Sequence, residues 1–316
     1  MAAYGGTDDA PPLTSAEFGA LFRRLRDATV WGPDDRRGAL NNLTPWHVLA
    51  AVGEVRSGHT VSLAAPIETV SSQDNPDPCS HEMAAEAGES AAAPGLHFAM
   101  DSVAMNVHGN ADSHIDALCH VIFNRTLYNG VDPGTVATGD GTALSIDVAR
   151  DGIVGRGVLL DIPRVRGVSW LEPGDHVTLA DLEAAERAQQ VWIGTGDVVF
   201  VRVGHRLRRD ELGAWDAARA RAGLHPTALL LLAERGVAAL GSDGNNDTAP
   251  SITAGVDFPI HVLAINAMGL HLLDYLRFEE LAARCAEAGR WSFLCVIAPL
   301  RLPSATGSPV NPIAIL

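Results

Sequence analysis

Residues 108–120, His-Gly-Asn-Ala-Asp-Ser-His-Ile-Asp-Ala-Leu-Cys-His, constrain this chain more than any other stretch. They gather three histidines and two aspartates within thirteen residues. The preceding Ser102-Val-Ala-Met-Asn-Val107 is β-prone and reads as a strand. If that strand continues, side chains alternate faces with period two. His108, Asn110, Asp112, His114 and Asp116 then share one face, and the small or apolar Gly109, Ala111, Ser113 and Ile115 take the other. A face of imidazoles and carboxylates suits a divalent ion such as zinc or manganese. His120, four residues past Asp116, reaches the same place from the next turn. The competing reading is a solvated strand face. Burying so many polar side chains unpaired would cost several kcal/mol, which favours the metal site.

Composition narrows the class. The 316 residues, 47% of them hydrophobic, can bury a sizeable core and suit one large domain or two small ones. A formal charge of −15 argues against nucleic acid or an anionic membrane as partner. All 23 basic residues are arginine, so lysine Schiff-base and P-loop lysine chemistry are excluded. The four cysteines, at 79, 119, 285 and 295, form no Cys-x-x-Cys pair, which argues against a zinc ribbon. Cys119 is read as a buried, inert thiol rather than a nucleophile. No basic leader or run of ~18 apolar residues occurs, so a soluble, cytoplasmic protein is expected.

Along the chain, residues 1–13 read as a flexible terminus and 14–316 as one domain without repeats. An amphipathic helix is expected over Ser15–Ala28, with Phe18, Leu21, Phe22 and Leu25 on one face. Thr44-Pro45 caps a second helix running to about Arg56. Strands are expected at His59–Leu63, Gly157–Ile162, Gly196–Gly204, Val237–Asp243 and Trp291–Pro299. Helices fall at Thr178–Gln190, Pro226–Arg235 and Glu279–Ala288. The poorly patterned residues 66–95 read as a flap over the site or a plain surface loop. Interleaved strands and helices make the fold α/β.

His114-Ile-Asp116-Ala-Leu-Cys-His120 resembles the metal motif of the cyclase family, which includes bacterial kynurenine formamidases and isatin hydrolases. The family pattern is His-x-Gly-Thr-His-x-Asp-x-Pro-x-His. Here Asn110 stands where its first histidine belongs, Asp112 where its glycine belongs, and Leu118 where its proline belongs. The longer members read His-Gly before Ser/Thr-His-x-Asp-Ala-Leu-x-His, which His108-Gly109 matches. Which of His108, Asn110 and Asp112 completes the ligand shell stays open. Tyr128-Asn-Gly130 and the Trp31-Gly…Asn41-x-Leu-Thr-Pro45 run also resemble the longer members, which makes Trp31 and Asn41 candidate substrate-binding residues.

The resemblance adds a second ligand pair. His261, at the start of an apolar helix ending at Gly269, matches a family metal histidine, and Asp274 stands where the longer members have glutamate. Arg202 ends a Val and Phe-rich strand and reads as a partner for a carboxylate, structural or on the substrate. Asp243 and Asp247 read as turn caps, with the site rim as the alternative.

The implied fold is a mixed sheet or squashed barrel flanked by helices, of the swivelling β/β/α type, in a homodimer or homotetramer. The implied activity is metal-dependent hydrolysis of a small amide, cyclic amide, ester or lactone, with His120 moving the proton. The alternatives are a metal- or ligand-binding homologue without catalysis, and an isomerase or lyase on the same site.

Overall fold

The structure is a computed structural model that describes residues 10–85, 96, 98–137 and 143–316. Helix α1 (Ser15–Asp27) starts at Thr14, whose hydroxyl accepts the Glu17 N–H while the Glu17 carboxylate accepts the Thr14 N–H. Its Phe18, Leu21, Phe22 and Leu25 are buried, as their spacing implies. Helix α2 (Pro45–Val52) begins behind Thr44 but stops at Gly53, a turn earlier than expected. Strand β1 (Thr60–Ser62) follows. Next come β2 (Ser80–Ala85) and β3 (Ala99–Ala104), an antiparallel hairpin of their own, then β4 (His114–Asp116) and the short α3 (Gly134–Ala137).

From there strands and helices alternate. The order is β5 (Ile153–Asp161), α4 (Ile162–Arg166), β6 (His176–Val177), α5 (Leu179–Gln189), β7 (Val198–Arg202), α6 (His205–Leu212), β8 (Gly223–Leu224), α7 (Ala228–Arg235) and β9 (Ala239–Ser242). Helix α8 (Pro259–His261) winds on as a π-helix over Val262–Met268 and ends at Gly269 in the left-handed region. The chain closes with β10 (His271–Asp274), α9 (Glu279–Ala288), β11 (Ser292–Ile297), β12 (Gly307–Pro309) and β13 (Ile313–Ile315).

The described residues form a nine-stranded sheet in the order β1-β13-β11-β5-β7-β9-β10-β4-β12. Strands β5, β7, β9 and β10 run parallel, and the strands on either side of them join antiparallel. The result is a single α/β domain with a curled mixed sheet flanked by helices. Every residue of β7 is buried because parallel strands carry helices on both faces, so the strand reads as a continuous Val and Phe run. No helix among the described residues is long and apolar enough to cross a membrane.

Two expectations change. The strand expected to run from 102 through 116 is instead two strands, β3 and β4, separated by a bend over residues 105–113. Side chains compete with the sheet ladder there. The Asp112 carboxylate accepts the Glu68 N–H at 3.0 Å, the Ser113 hydroxyl accepts the Ala65 N–H at 3.0 Å, and the Arg206 guanidinium donates to the Ala111 carbonyl. The five polar residues 108–116 therefore do not share one strand face. In the stretch expected to be a flap, residues 66–79 are pinned: Arg209 on α6 pairs with Glu68 at 2.7 Å and with the buried Asp74. Residues 86–95 lie outside the described residues, as do residues 1–9 of the expected flexible terminus. Leu13 of that terminus is bonded to residues 252 and 254 through its backbone.

Candidate metal centre

The register of β4 against β10 brings the site together. His114 lies opposite Asp274 in that antiparallel pair, and Asp116 sits two residues on with its side chain on the same face. Ile115 between them points into the core and is fully buried. One ligand atom from each of His114, Asp116 and Asp274 falls within 4.8 Å of the other two. His261 enters from the first turn of α8. Its Nε2 lies 3.4 Å from Asp116 Oδ2 and 3.4 Å from Asp274 Oδ2. His114 Nε2 lies 3.7 Å from Asp116 Oδ1.

The surroundings aim these groups. The Asp112 carbonyl accepts from His114 Nδ1 at 2.8 Å, which leaves the Nε2 lone pair facing Asp116. Asp247 holds His261 in the same way, with Nδ1 2.5 Å from Oδ2. It also caps α8, accepting the N–H groups of Ile260 at 2.6 Å and His261 at 3.1 Å. Asn245 and Asn246 donate to the two oxygens of Asp274 at 2.7 Å and 2.5 Å.

Three buried carboxylates, Asp116, Asp247 and Asp274, thus meet one imidazole. Burial would lower the His261 pKa, but the Asp274 charge and the adjoining Asp116 and Asp247 carboxylates raise it well above the usual value. Burial would raise Asp116, but the bond from His108 and the nearby imidazole of His261 hold it well below the carboxylate range.

These residues fit a divalent cation. Asp116 Oδ2 is buried without a hydrogen-bond partner, which is costly unless something positive sits against it. The donor separations of 3.4–3.7 Å match ligands held ~2.0–2.2 Å from one ion. Two carboxylates and two imidazoles are a donor set that zinc and manganese both accept.

The remaining expected residues divide. His108 meets Asp116 Oδ1 through Nδ1 at 2.9 Å and Thr306 Oγ1 through Nε2 at 2.9 Å, so both its nitrogens are engaged. His120 stacks on His108 with ring centres 3.8 Å apart, and its ring lies 6.2 Å from that of His261. Burial pushes the His120 pKa down to about 4. Asn110 Oδ1 accepts from the Tyr275 hydroxyl at 3.1 Å. Both His120 and Asn110 line a cavity of about 650 Å³ above the cluster, walled by Phe123, Val256 and Phe258.

Asp112 is turned away, bonded to the Glu68 backbone. Asn41 donates to Asp35 at 2.6 Å within its own loop, and Trp31 lines a separate small cleft with Leu25 and Met268. Arg202 is buried against Asp161 at 2.9 Å and Glu279 at 3.6 Å, apart from the cavity. Asp243 accepts the Val203 and Gly204 N–H groups, and burial helps raise it to about 7. Cys119 is buried, which pushes its thiol up to about 11.

Sequence reasoning missed Tyr275, Arg221 and the Asn245-Asn246 pair. The only signal was the run of amides and a carboxylate, Asn245-Asn-Asp247, just past a strand end.

The family model Cyclase matches residues 29–246. The chain belongs to the cyclase family. A novel cyclase known from a crystal structure is 30% identical, with a TM-score of 0.81 over 93% of this chain and 99% of that one. An isatin hydrolase bound to the product analogue thioisatinate shares the fold at 20% identity, with a TM-score of 0.58 over 87% of this chain and 99% of that one. Isatin hydrolase A from Ralstonia solanacearum does so at 22% identity, with a TM-score of 0.58 over 86% of this chain and 97% of that one. Curated proteins give no significant match.

Proposed function

We propose that this cyclase-family protein is a divalent-metal-dependent hydrolase of a small amide, cyclic amide, ester or lactone. The observation that carries the reading is the meeting of His114, Asp116, His261 and Asp274 beneath a cavity that His120 and Asn110 also line. The isatin hydrolase names of the structural neighbours point the same way.

In this reading His114, Asp116, His261 and Asp274 hold the ion, zinc or manganese. The ion supplies Lewis acidity toward a carbonyl and lowers the pKa of water from about 15.7 toward ~7. Asp247 and the Asp112 carbonyl fix the two imidazoles. Asn110, its oxygen taken by Tyr275, presents its amide nitrogen to the substrate rather than a ligand to the ion. His120 has a ring nitrogen free to accept a proton from the attacking water and pass it to the leaving group. The apolar wall formed by Phe123, Val256 and Phe258 excludes water from the substrate body. A homo-oligomer in the cytoplasm completes the proposal.

The test is metal content of the purified protein together with a hydrolysis screen of N-formyl aromatic amines, isatin-like lactams and lactones. Stoichiometric metal with turnover in one class is expected. Absence of bound metal, or metal without turnover in any class, favours a binding protein instead.

A further inference from the structure

Arg221 is a cation in the wall of this cavity that no carboxylate of the described residues answers. It lies in the loop between α6 and β8, where its backbone pairs with Ala249. The residue is 1% exposed, yet it lines the cavity. Its Nε donates to the Asp247 carbonyl at 2.9 Å, and Nη1 donates to the carbonyls of Ala217 at 2.9 Å and Ala218 at 3.0 Å. The guanidinium carbon lies 5.2 Å from the centre of the Phe258 ring, another wall residue. Nη2 donates to none of the described residues and is not among the buried unpartnered atoms, so it keeps donor capacity on a side chain that lines the cavity.

No carboxylate of the described residues lies within 4.0 Å of it, unlike Arg156, Arg166, Arg202 and Arg209, each of which is paired. The nearby Asp247 carboxylate is committed to His261 and the α8 N-terminus, and Asp257, which also lines the cavity, is exposed. Arg206 shows that burial without an ion pair is tolerated here. But Arg206 is sealed under the 105–113 bend, on the carbonyls of Ala111, Tyr275 and Leu276, and does not line the cavity. Carbonyl dipoles orient a guanidinium without neutralising it, and a charge-assisted bond to an anion is about twice as strong as a neutral one. A guanidinium held rigid on three carbonyls gives up little freedom when it binds.

We propose that Arg221 is a substrate-binding residue that selects substrates carrying a carboxylate on an apolar, aromatic body. The carboxylate meets Nη2, and the body lies along Phe258 and Phe123. This assignment rests on the hydrolase reading for the word substrate, but not for the binding of the anion.

The experiment compares the metal-loaded wild type with Arg221→Gln and Arg221→Lys. Turnover is measured on N-formylanthranilate and on its methyl ester, and benzoate affinity is measured by calorimetry. Any benzoate contact with the ion is common to all three proteins, so their difference reads Arg221. Wild type is expected to favour the free acid through KM. Arg221→Gln should lose about 10- to 100-fold in acid kcat/KM and in benzoate affinity, with the ester changed less than threefold. Arg221→Lys, which keeps the charge without the fork, should recover part of both.

Equal losses on acid and ester, equal behaviour of the Gln and Lys variants, or unchanged benzoate affinity would each overturn the proposal in favour of a loop staple. Arg221-dependent benzoate binding with no turnover of either formyl compound would sustain the anion site and count against the hydrolase reading alone.

Discussion

At the residue scale, the candidate site depends on side chains that hold the candidate ligands in place. Asp247 is the clearest: one carboxylate orients the His261 ring and caps the helix that carries it. Asp247→Asn keeps the cap acceptor but weakens the bond to Nδ1. Metal affinity should fall about 10- to 100-fold, measured by competition with a chelator. His120 behaves oppositely. It stacks on His108 and is not one of the four proposed ligands, so His120→Ala should retain full metal content while kcat falls about 10²- to 10⁴-fold. Normal turnover by that variant would remove the proton-transfer role.

At the scale of elements, two contacts hold the site in shape. The first is the crossing of the 38–42 turn with the end of the π-helix. Gly38 and Gly269 both have positive φ, and a methyl group on Gly38 would lie 2.0 Å from the Gly269 carbonyl oxygen. Nothing in that backbone contact can give way easily. Gly38→Ala should cost about 2–4 kcal/mol, read as a lower urea midpoint.

The second contact is the Arg209, Glu68 and Asp74 cluster, which fastens residues 66–79 to α6. Through the Glu68 N–H it also braces Asp112, whose carbonyl aims His114. Burial opposes ionisation of Asp74, but bonds from Arg209 and Ser72 lower its pKa below 3.8. Its contribution is therefore present above pH 3.8 and is lost as pH falls through the depressed folded value. Asp74→Asn should cost about 2–3 kcal/mol at pH 7, and the gap to wild type should close in acid, measured by denaturant titration across pH.

At the scale of the whole molecule, the candidate metal centre couples distant parts of the sheet. Strands β4 and β10 and helix α8 each supply candidate ligands, so an ion that binds only the folded chain would stabilise all three together. Removing it with a chelator should lower the melting temperature, and adding the ion back should restore it. An ion at 100 times its Kd stabilises by about 2.7 kcal/mol. A melting temperature indifferent to chelator would argue against a structural link between ion and fold.

The parts legible in the sequence were those where local pattern and tertiary environment agree. Helix α1 carried its apolar face at i, i+3, i+4 and i+7, α9 ran over the expected residues, and β7 read as a buried strand because both its faces are covered. Strand β3 was partly legible in the β-prone 102–107 run, but its partner β2 and the π-winding after His261 left no such mark, since neither has a periodicity of its own to read. The bend over 105–113 reversed a local preference, because Asp112, Ser113 and the Ala111 carbonyl found better partners outside the strand than the ladder offers.

The primary structure thus determined which donor atoms exist and that His114 and Asp116 stand two apart on a strand, because alternation is a property of the extended backbone. Only the folded sheet decided that Asp274 sits opposite His114, that His261 turns its Nε2 toward them, and that Arg221 lines the same cavity with no counterion among the described residues. Those relations join residues far apart along the chain, and strand register and helix docking, which create them, are set by the packing of the whole core.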